Sequence, residues 1–203
     1  MGAEKMGAVI LAAGKGQRFH GKKQFVCLGG TPLWEIVYQK AAACISQQRI
    51  AVVGVGIPGG ETRTGSVLNG LRALPADTSR VIILEAARPL VTRGQIEALL
   101  CDPADSSAFV MPLVNTVVYR EGRYINRDEL YELLTPQAFH YSKLLEALRS
   151  GGFTDMTDET RVMFEYWNIP PHFIETTDNL IKVTYQKDLK IIEQLYKEQE
   201  EGV

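Results

Sequence analysis

Short, unbroken apolar runs alternate along this chain with stretches in which apolar residues recur every three or four positions. Few folds tolerate that alternation. Gly7–Gly14 (GAVILAAG) is apolar on both faces, as a strand is when helices cover its sheet from both sides. Arg49–Val55, Val81–Leu84 and Phe109–Pro112 repeat the signal. Between them lie helical patterns. Leu33, Ile36, Val37, Ala41 and Cys44 share one face, with Pro32 suited to the first turn. Val67, Leu68, Leu71 and Leu74 form a second face. Ile96, Leu99 and Leu100 form a third, behind a Thr92–Gln95 capping box. The pattern predicts an α/β fold: a Rossmann-like, doubly wound, mainly parallel sheet with helices on both faces.

Val114–Arg127 breaks the rhythm and reads as two extended arms around Glu121-Gly122. We therefore expect one domain over residues 1–203 with a protruding β-hairpin arm over 112–134. Beyond it, Tyr141, Leu144, Leu145 and Leu148 mark a helix, and Asp158–Asn168 another, with Met163, Tyr166 and Trp167 apolar. Phe173-Ile174 and Ile181–Val183 read as short strands. A last helix turns Leu189, Ile192 and Leu195 inward, and Lys197–Glu201 reads as a frayed end. Trp34, Trp167 and the tyrosines sit at core-like spacing.

The formal charge of −2 excludes a general nucleic-acid or membrane-surface binder, because no cation excess is available to neutralise many phosphates. The three cysteines, Cys27, Cys44 and Cys101, have neither disulfide nor zinc spacing. No run reaches the ~18 apolar residues of a membrane span. A soluble cytoplasmic protein is expected. His20, His140 and His172 are scattered and suit loop or surface roles.

The densest local chemistry follows the first strand: Ala12-Ala13-Gly14-Lys15-Gly16-Gln17-Arg18, then Lys22-Lys23-Gln24. Glycines let a backbone turn sharply and bring its N–H groups to an anion, and Arg18 and Lys23 add two cations. The loop is neither a Walker A motif nor G-x-G-x-x-G. It suits the tail of a nucleoside triphosphate; a strand–turn with surface lysines is the plainer alternative. Likewise Ser66 and Arg63 read as helix-capping groups, Glu85 as a partner for Arg88, and Arg127 as a surface residue beside Asp128.

Taken in order, these blocks resemble the 2-C-methyl-D-erythritol 4-phosphate cytidylyltransferase family of sugar-phosphate nucleotidyltransferases. The likeness runs through Gly7–Gln24, Gly59–Val67 (GGETRTGSV), Glu85–Pro89 (EAARP), Leu134–Phe139 (LTPQAF), Thr157–Glu159 (TDE) and Ile181–Leu189. It implies that CTP reacts with a polyol phosphate to give a CDP-alcohol and pyrophosphate, in isoprenoid precursor synthesis. It further implies that Ala12, Ala13, Gly14, Lys15 and Gly16 cradle the nucleotide, together with Gly60, Glu61, Arg63, Ser66, Ala86 and Arg88. Arg18, Lys23, Arg127 and Lys182 would be catalytic. Thr116, Arg127, Thr135, Thr157 and Lys182 would bind the acceptor. Glu85 would hold Mg²⁺ or another divalent cation, and the arm would exchange across a homodimer, carrying Arg127 to the partner's site.

The chain departs from that pattern. Glu85 replaces an aspartate, Leu84 stands where histidine is usual, and Asn115-Thr116-Val117-Val118 replaces Asp-Thr-x-Lys. Lys22 replaces a proline, and one residue is added between Asn179 and Lys182. Only Gly56-Ile57-Pro58 separates the Arg49–Val55 strand from GGETR, where the family has a further helix and strand. The departures leave two other readings: a paralogue using another sugar or polyol phosphate (such as ribitol 5-phosphate) or another nucleotide, and a catalytically impaired nucleotide-binding homologue.

Overall fold

The computed structural model of the chain describes residues 5–178 and 180–201. Asn179, in the stretch holding the added residue, lies outside them. The strands and helices are β1 (Met6–Leu11), the two-residue strands β2 (Cys27–Leu28) and β3 (Thr31–Pro32), α1 (Leu33–Ala42), β4 (Ile50–Val53), α2 (Arg63–Ala73), β5 (Arg80–Glu85) and α3 (Arg93–Cys101). There follow β6 (Ser106–Pro112), β7 (Val117–Val118), β8 (Tyr124–Ile125), β9 (Tyr131–His140), α4 (Tyr141–Arg149), α5 (Glu159–Trp167), β10 (His172–Glu175) and α6 (Asp188–Glu201).

Six strands form one sheet in the order β10-β6-β9-β5-β1-β4. β1 is parallel to β4 and β5, and β10 is parallel to β6; β9 alone runs antiparallel, between β5 and β6. The predicted architecture is therefore present, with helices on both faces. Strand alternation sorts the core. Ala8, Ile10, Ile82, Leu84 and Ala138 meet Val37 and Ala41 of α1 and Ile96 and Leu99 of α3. Val9, Val53, Val81, Ile83 and Phe139 meet α2, α4 and α5 through Val67, Leu71, Leu144, Val162 and Met163. A third cluster joins Phe19, Leu28, Leu33, Ala87, Val183 and Ile192, so α6 packs on the glycine-loop end of the sheet. Phe139 is fully buried between β5 and β6. Truncating it to alanine should cost about 3–5 kcal/mol, read as a lowered denaturation midpoint at constant m value.

Several elements differ from the sequence expectations. β9 carries no clean alternation and has Pro136 at its middle, which argues against a central strand. The register with β6 shifts there: Ala108 pairs with Gln137 but Val110 with Leu133, so β9 bulges around the proline. Ile181–Val183 joins no sheet; its one backbone link to the turn after β5 is the Val183 N–H donating to the Ala87 carbonyl at 2.8 Å. Pro32 precedes α1 as its N-cap instead of opening its first turn. Tyr166 and Trp167 are exposed, 40% and 37%, and stack edge-on against one another outside the core. Lys197–Glu201 remains helical within α6.

The hairpin forms at the expected turn, with Gly122 at φ 92° and Tyr119 N–H donating to Arg123. Residues 113–130 stand between β6 and β9 and expose Val114 and Tyr124. β4 ends the sheet on the other side. Gly54, at φ 104°, turns the chain there; a Cβ would meet the Ala12 backbone at 2.6 Å. Residues 54–62 then lead to α2, and apart from an isolated parallel bridge between Val53 and Ile57, β4 has no outer strand among the described residues.

Candidate active site

The C-terminal ends of parallel strands leave a crevice where loops diverge, the usual ligand position of such sheets. Here β1 and β5 end beside a cleft of about 630 Å³. Its wall includes residues 11–19, Lys23, Gln24, residues 60–63, Ser66, Glu85, Ala86, Ala87, Lys182 and Thr184.

The glycine loop forms one side. Gly16 has φ +62°, and a Cβ there would lie 1.8 Å from the Gly21 carbonyl oxygen. That close approach needs glycine. Among the described residues, the N–H groups of Ala13, Gly14, Lys15 and Gly16 have no backbone acceptor, which leaves donors for an anion. Opposite, Thr62 caps α2 by accepting from Gly65 N–H at 3.0 Å. The Ser66 hydroxyl accepts from Gly60 N–H at 3.0 Å and donates to the Thr62 carbonyl at 3.0 Å, fixing the Gly60–Arg63 turn. Thr62, not Ser66 or Arg63, is thus the cap.

Charge converges on the cleft floor. Glu85 at the end of β5 is ion-paired with Lys182, and the Arg63 guanidinium stands 3.8 Å from its other oxygen. Burial raises the Glu85 carboxyl, but Lys182 and Arg63 outweigh it and hold the group below the ordinary carboxylate range. Lys23 donates to the Val183 carbonyl at 2.5 Å. Burial, helped by Lys182, lowers its ammonium to about 8. Below pH 8 it is a cation facing the glycine loop; above, it loses that charge. Affinity for a nucleoside triphosphate in this cleft should therefore fall as pH rises through 8, by up to about tenfold one unit above, with proton uptake on binding. Calorimetry at pH 7 and 9 in buffers of different ionisation enthalpy reads both; equal affinities and no proton uptake would detach Lys23 from the nucleotide.

Of the residues singled out in the sequence, the cleft gathers Ala12, Ala13, Gly14, Lys15, Gly16, Arg18, Lys23, Gly60, Glu61, Arg63, Ser66, Glu85, Ala86 and Lys182. It does not gather five others. Arg88 is bound to the Thr135 hydroxyl at 2.9 Å and to the Leu180 carbonyl, so these two predicted ligand contacts hold each other behind the cleft. Thr157 is exposed before α5, its hydroxyl 3.4 Å from Asp158. Thr116 and Arg127 lie in the arm, where Arg127 donates to the Val114 carbonyl and stands 3.8 Å from Asp128. Arg88 is not the partner of Glu85, as the plainer reading had it; Lys182 is. Thr62 and Thr184 line the cleft without having been singled out.

A hard cation needs oxygen donors, and Mg²⁺ is commonly held by one or two carboxylates together with phosphates. Among the described residues no group of three or more His, Cys, Asp or Glu could hold a metal alone. Glu85 is an ionised carboxylate on the cleft wall with one oxygen lacking a hydrogen-bond contact, so the donor set fits a cation shared with nucleotide phosphates.

The mainly parallel sheet, the glycine loop at its carboxyl edge and the cations around it suit the phosphates of a nucleotide, and the comparisons make the class a nucleotidyltransferase. Residues 39–198 match the family model described as IspD, 2-C-methyl-D-erythritol 4-phosphate cytidylyltransferase. The curated enzyme of that name from Pelotomaculum thermopropionicum is 30% identical over 227 aligned positions, covering 96% of this chain and 95% of the relative. The crystal structure of the Thermus thermophilus enzyme superposes with a TM-score of 0.76 at 25% identity, covering 93% of this chain and 98% of the other. The bifunctional IspDF of Campylobacter jejuni gives 0.81 at 25% identity, with 92% of this chain against 54% of that longer one. The chain belongs to the IspD family, the 2-C-methyl-D-erythritol 4-phosphate cytidylyltransferases, and is a cytidylyltransferase of isoprenoid biosynthesis. Among the described residues no helix is long and apolar enough to cross a membrane.

Proposed function

We propose that this cleft condenses CTP with 2-C-methyl-D-erythritol 4-phosphate. The carrying observation is the meeting of the glycine loop, Lys23, Lys182 and Glu85 around one cleft. An oxygen of the acceptor phosphate attacks the α-phosphorus of CTP. The new P–O bond forms as the bond to the β-phosphate oxygen breaks, and pyrophosphate leaves with the electron pair. A phosphate dianion is already nucleophilic at pH 7, so the protein's task is positioning and charge stabilisation.

In this reading the N–H groups of residues 13–16 and Arg18 hold the β- and γ-phosphates. Lys23 faces the α-phosphate, where charge grows during transfer. Gly60, Glu61 and Ser66 bound the base, and Arg63 and Ala86 line the remaining wall. A divalent cation, held by Glu85, would screen the phosphates from one another. Lys182 turns from Glu85 to the acceptor phosphate. Thr157, Thr116 and Arg127 reach the acceptor only if the arm of a second copy folds over the cleft, which is the role we give residues 112–134 in a homodimer. Arg88 and Thr135 brace the Leu180–Thr184 segment from behind. Cytoplasmic placement accords with three free cysteines.

Pyrophosphate release should appear with CTP, 2-C-methyl-D-erythritol 4-phosphate and Mg²⁺. It should be far weaker with ATP, GTP or UTP, and with ribitol 5-phosphate as acceptor. Turnover that prefers another nucleotide or acceptor would replace this reading. Thermal shifts with CTP but no pyrophosphate from any acceptor would mark a binding protein instead.

A further inference from the structure

We infer that Glu159 is a positioning residue: its buried carboxylate holds the Arg63 guanidinium off Glu85, and so keeps one oxygen of Glu85 open to the cleft. The inference rests on the role proposed for Glu85. Glu159 opens α5 and is fully buried. Its Oε1 accepts from Arg63 Nη1 at 2.5 Å. Its Oε2 and the Arg63 Nη2 are buried with no hydrogen-bond partner among the described residues. That Nη2 faces Glu85 at 3.8 Å, just beyond hydrogen-bond contact, while Lys182 takes the other Glu85 oxygen. Acid and base thus alternate from the core to the cleft, Glu159, Arg63, Glu85, Lys182; burial raises the Glu159 carboxyl above the ordinary carboxylate range, and the Arg63 guanidinium beside it works the other way.

A buried ion pair contributes little to stability alone, because desolvation offsets its attraction. This one also leaves two polar atoms unsatisfied, and it ends on a cleft-wall carboxylate. Its consequence is positional. Arg63 lies between two carboxylates and is drawn to the deeper one, beside which its guanidinium is held above its ordinary range despite burial. Were Glu159 neutral, Glu85 would be the remaining anion within reach, and closing roughly 1 Å would make a full hydrogen bond. Both Glu85 oxygens would then be occupied as long as Lys182 stays on Glu85, before it turns to the acceptor phosphate. The backbone holds Arg63 in its present reach. The Thr64 hydroxyl accepts from Met156 N–H at 2.9 Å, and Asp158 caps α5 through Arg161 N–H at 3.0 Å, so the starts of α2 and α5 are tied together.

Glu159→Gln keeps shape and removes the charge. Expected are a folded protein, kcat lowered about tenfold or more, and undiminished affinity for CTP in metal-free buffer, since the cleft has gained positive charge. In an Arg63→Gln background the same change should alter kcat less than about twofold, because the two act through one another. Native kcat in Glu159→Gln, an equal loss in both backgrounds, or a parallel loss of metal-free CTP affinity would each overturn the inference. Should Glu159→Gln not fold, the neutral double variant decides: turnover equal to Arg63→Gln alone supports the role, and lower turnover refutes it. An inactive native chain, or an inconsequential Glu85→Gln, would instead reject the reading of the site itself.

Discussion

Replacing Lys23 with alanine is expected to lower kcat at least about a hundredfold, roughly 3 kcal/mol of barrier, with a smaller rise in KM for CTP. The asymmetry follows from when the charge is needed. In the proposed arrangement the ground-state phosphates meet several donors: the loop N–H groups, Arg18 and Lys182. Charge that develops at the α-phosphorus during transfer would face Lys23, whose ammonium is part-buried and donates to the Val183 carbonyl at 2.5 Å. Partial burial strengthens its field and lowers its pKa through the same cause, a local loss of water. Lys23→Arg should recover little, since a planar fork cannot reproduce a point charge at that depth. Pre-steady-state bursts separate chemistry from product release. Turnover of the alanine variant within about threefold of the native chain would move the reacting phosphorus elsewhere.

Gly16→Ala is expected to abolish tight CTP binding, by about a hundredfold in Kd, while lowering stability by only about 1–3 kcal/mol. The methyl cannot be accommodated, because Gly21 O lies 1.8 Å from the ideal Cβ and the backbone sits at φ +62°. The loop must therefore open, and the Phe19 N–H bond to Gly16 O, 3.0 Å long, goes with it. Gly14→Ala is the companion measurement. Nothing lies within 4 Å of its Cβ, so the free protein should keep its melting temperature. A drop in CTP affinity there, without a drop in stability, would report the nucleotide passing close to the loop. Normal CTP affinity in Gly16→Ala would show that the bend does not grip the phosphates.

The parts legible in the sequence are those where one local rule governs. Runs such as Val81–Leu84 can be only buried strands or buried helices, and their length and bounding residues settle which. The capping box at Thr92 and the Glu121-Gly122 turn carry their geometry in residue type, and both formed as expected. β9 was illegible because its place between β5 and β6 is a tertiary fact, and Pro136 argues locally for the opposite. Ile181–Val183 has β-branched composition but makes a single backbone link to the Ala87 turn, so propensity without a neighbour gave no ladder. In the site, residues on the glycine loop could be placed because spacing holds them together. The Glu85–Lys182 pair joins residues far apart in the chain, and the Arg63–Glu159 pair likewise, so only the fold brings them within reach. Arg88 and Thr135 carry donors suited to ligands, yet they satisfy each other, an outcome no pattern of residue types distinguishes from a free pair.

Lys23 comes from the first loop of the chain and Lys182 from the segment just ahead of α6, and the two are joined through the Val183 carbonyl. Five of the six strands, β1, β4, β5, β6 and β9, lie ahead of residue 141, so most of the sheet pairs without the 180–184 segment. That segment adds little to the sheet and much to the chemistry: it brings Lys182 to Glu85 and the carbonyl that holds Lys23. Packing of Val183 beside Phe19 and Leu33 thus couples a small apolar cluster to the setting of the cleft's charges, and loosening that cluster should blunt turnover before it unfolds the chain.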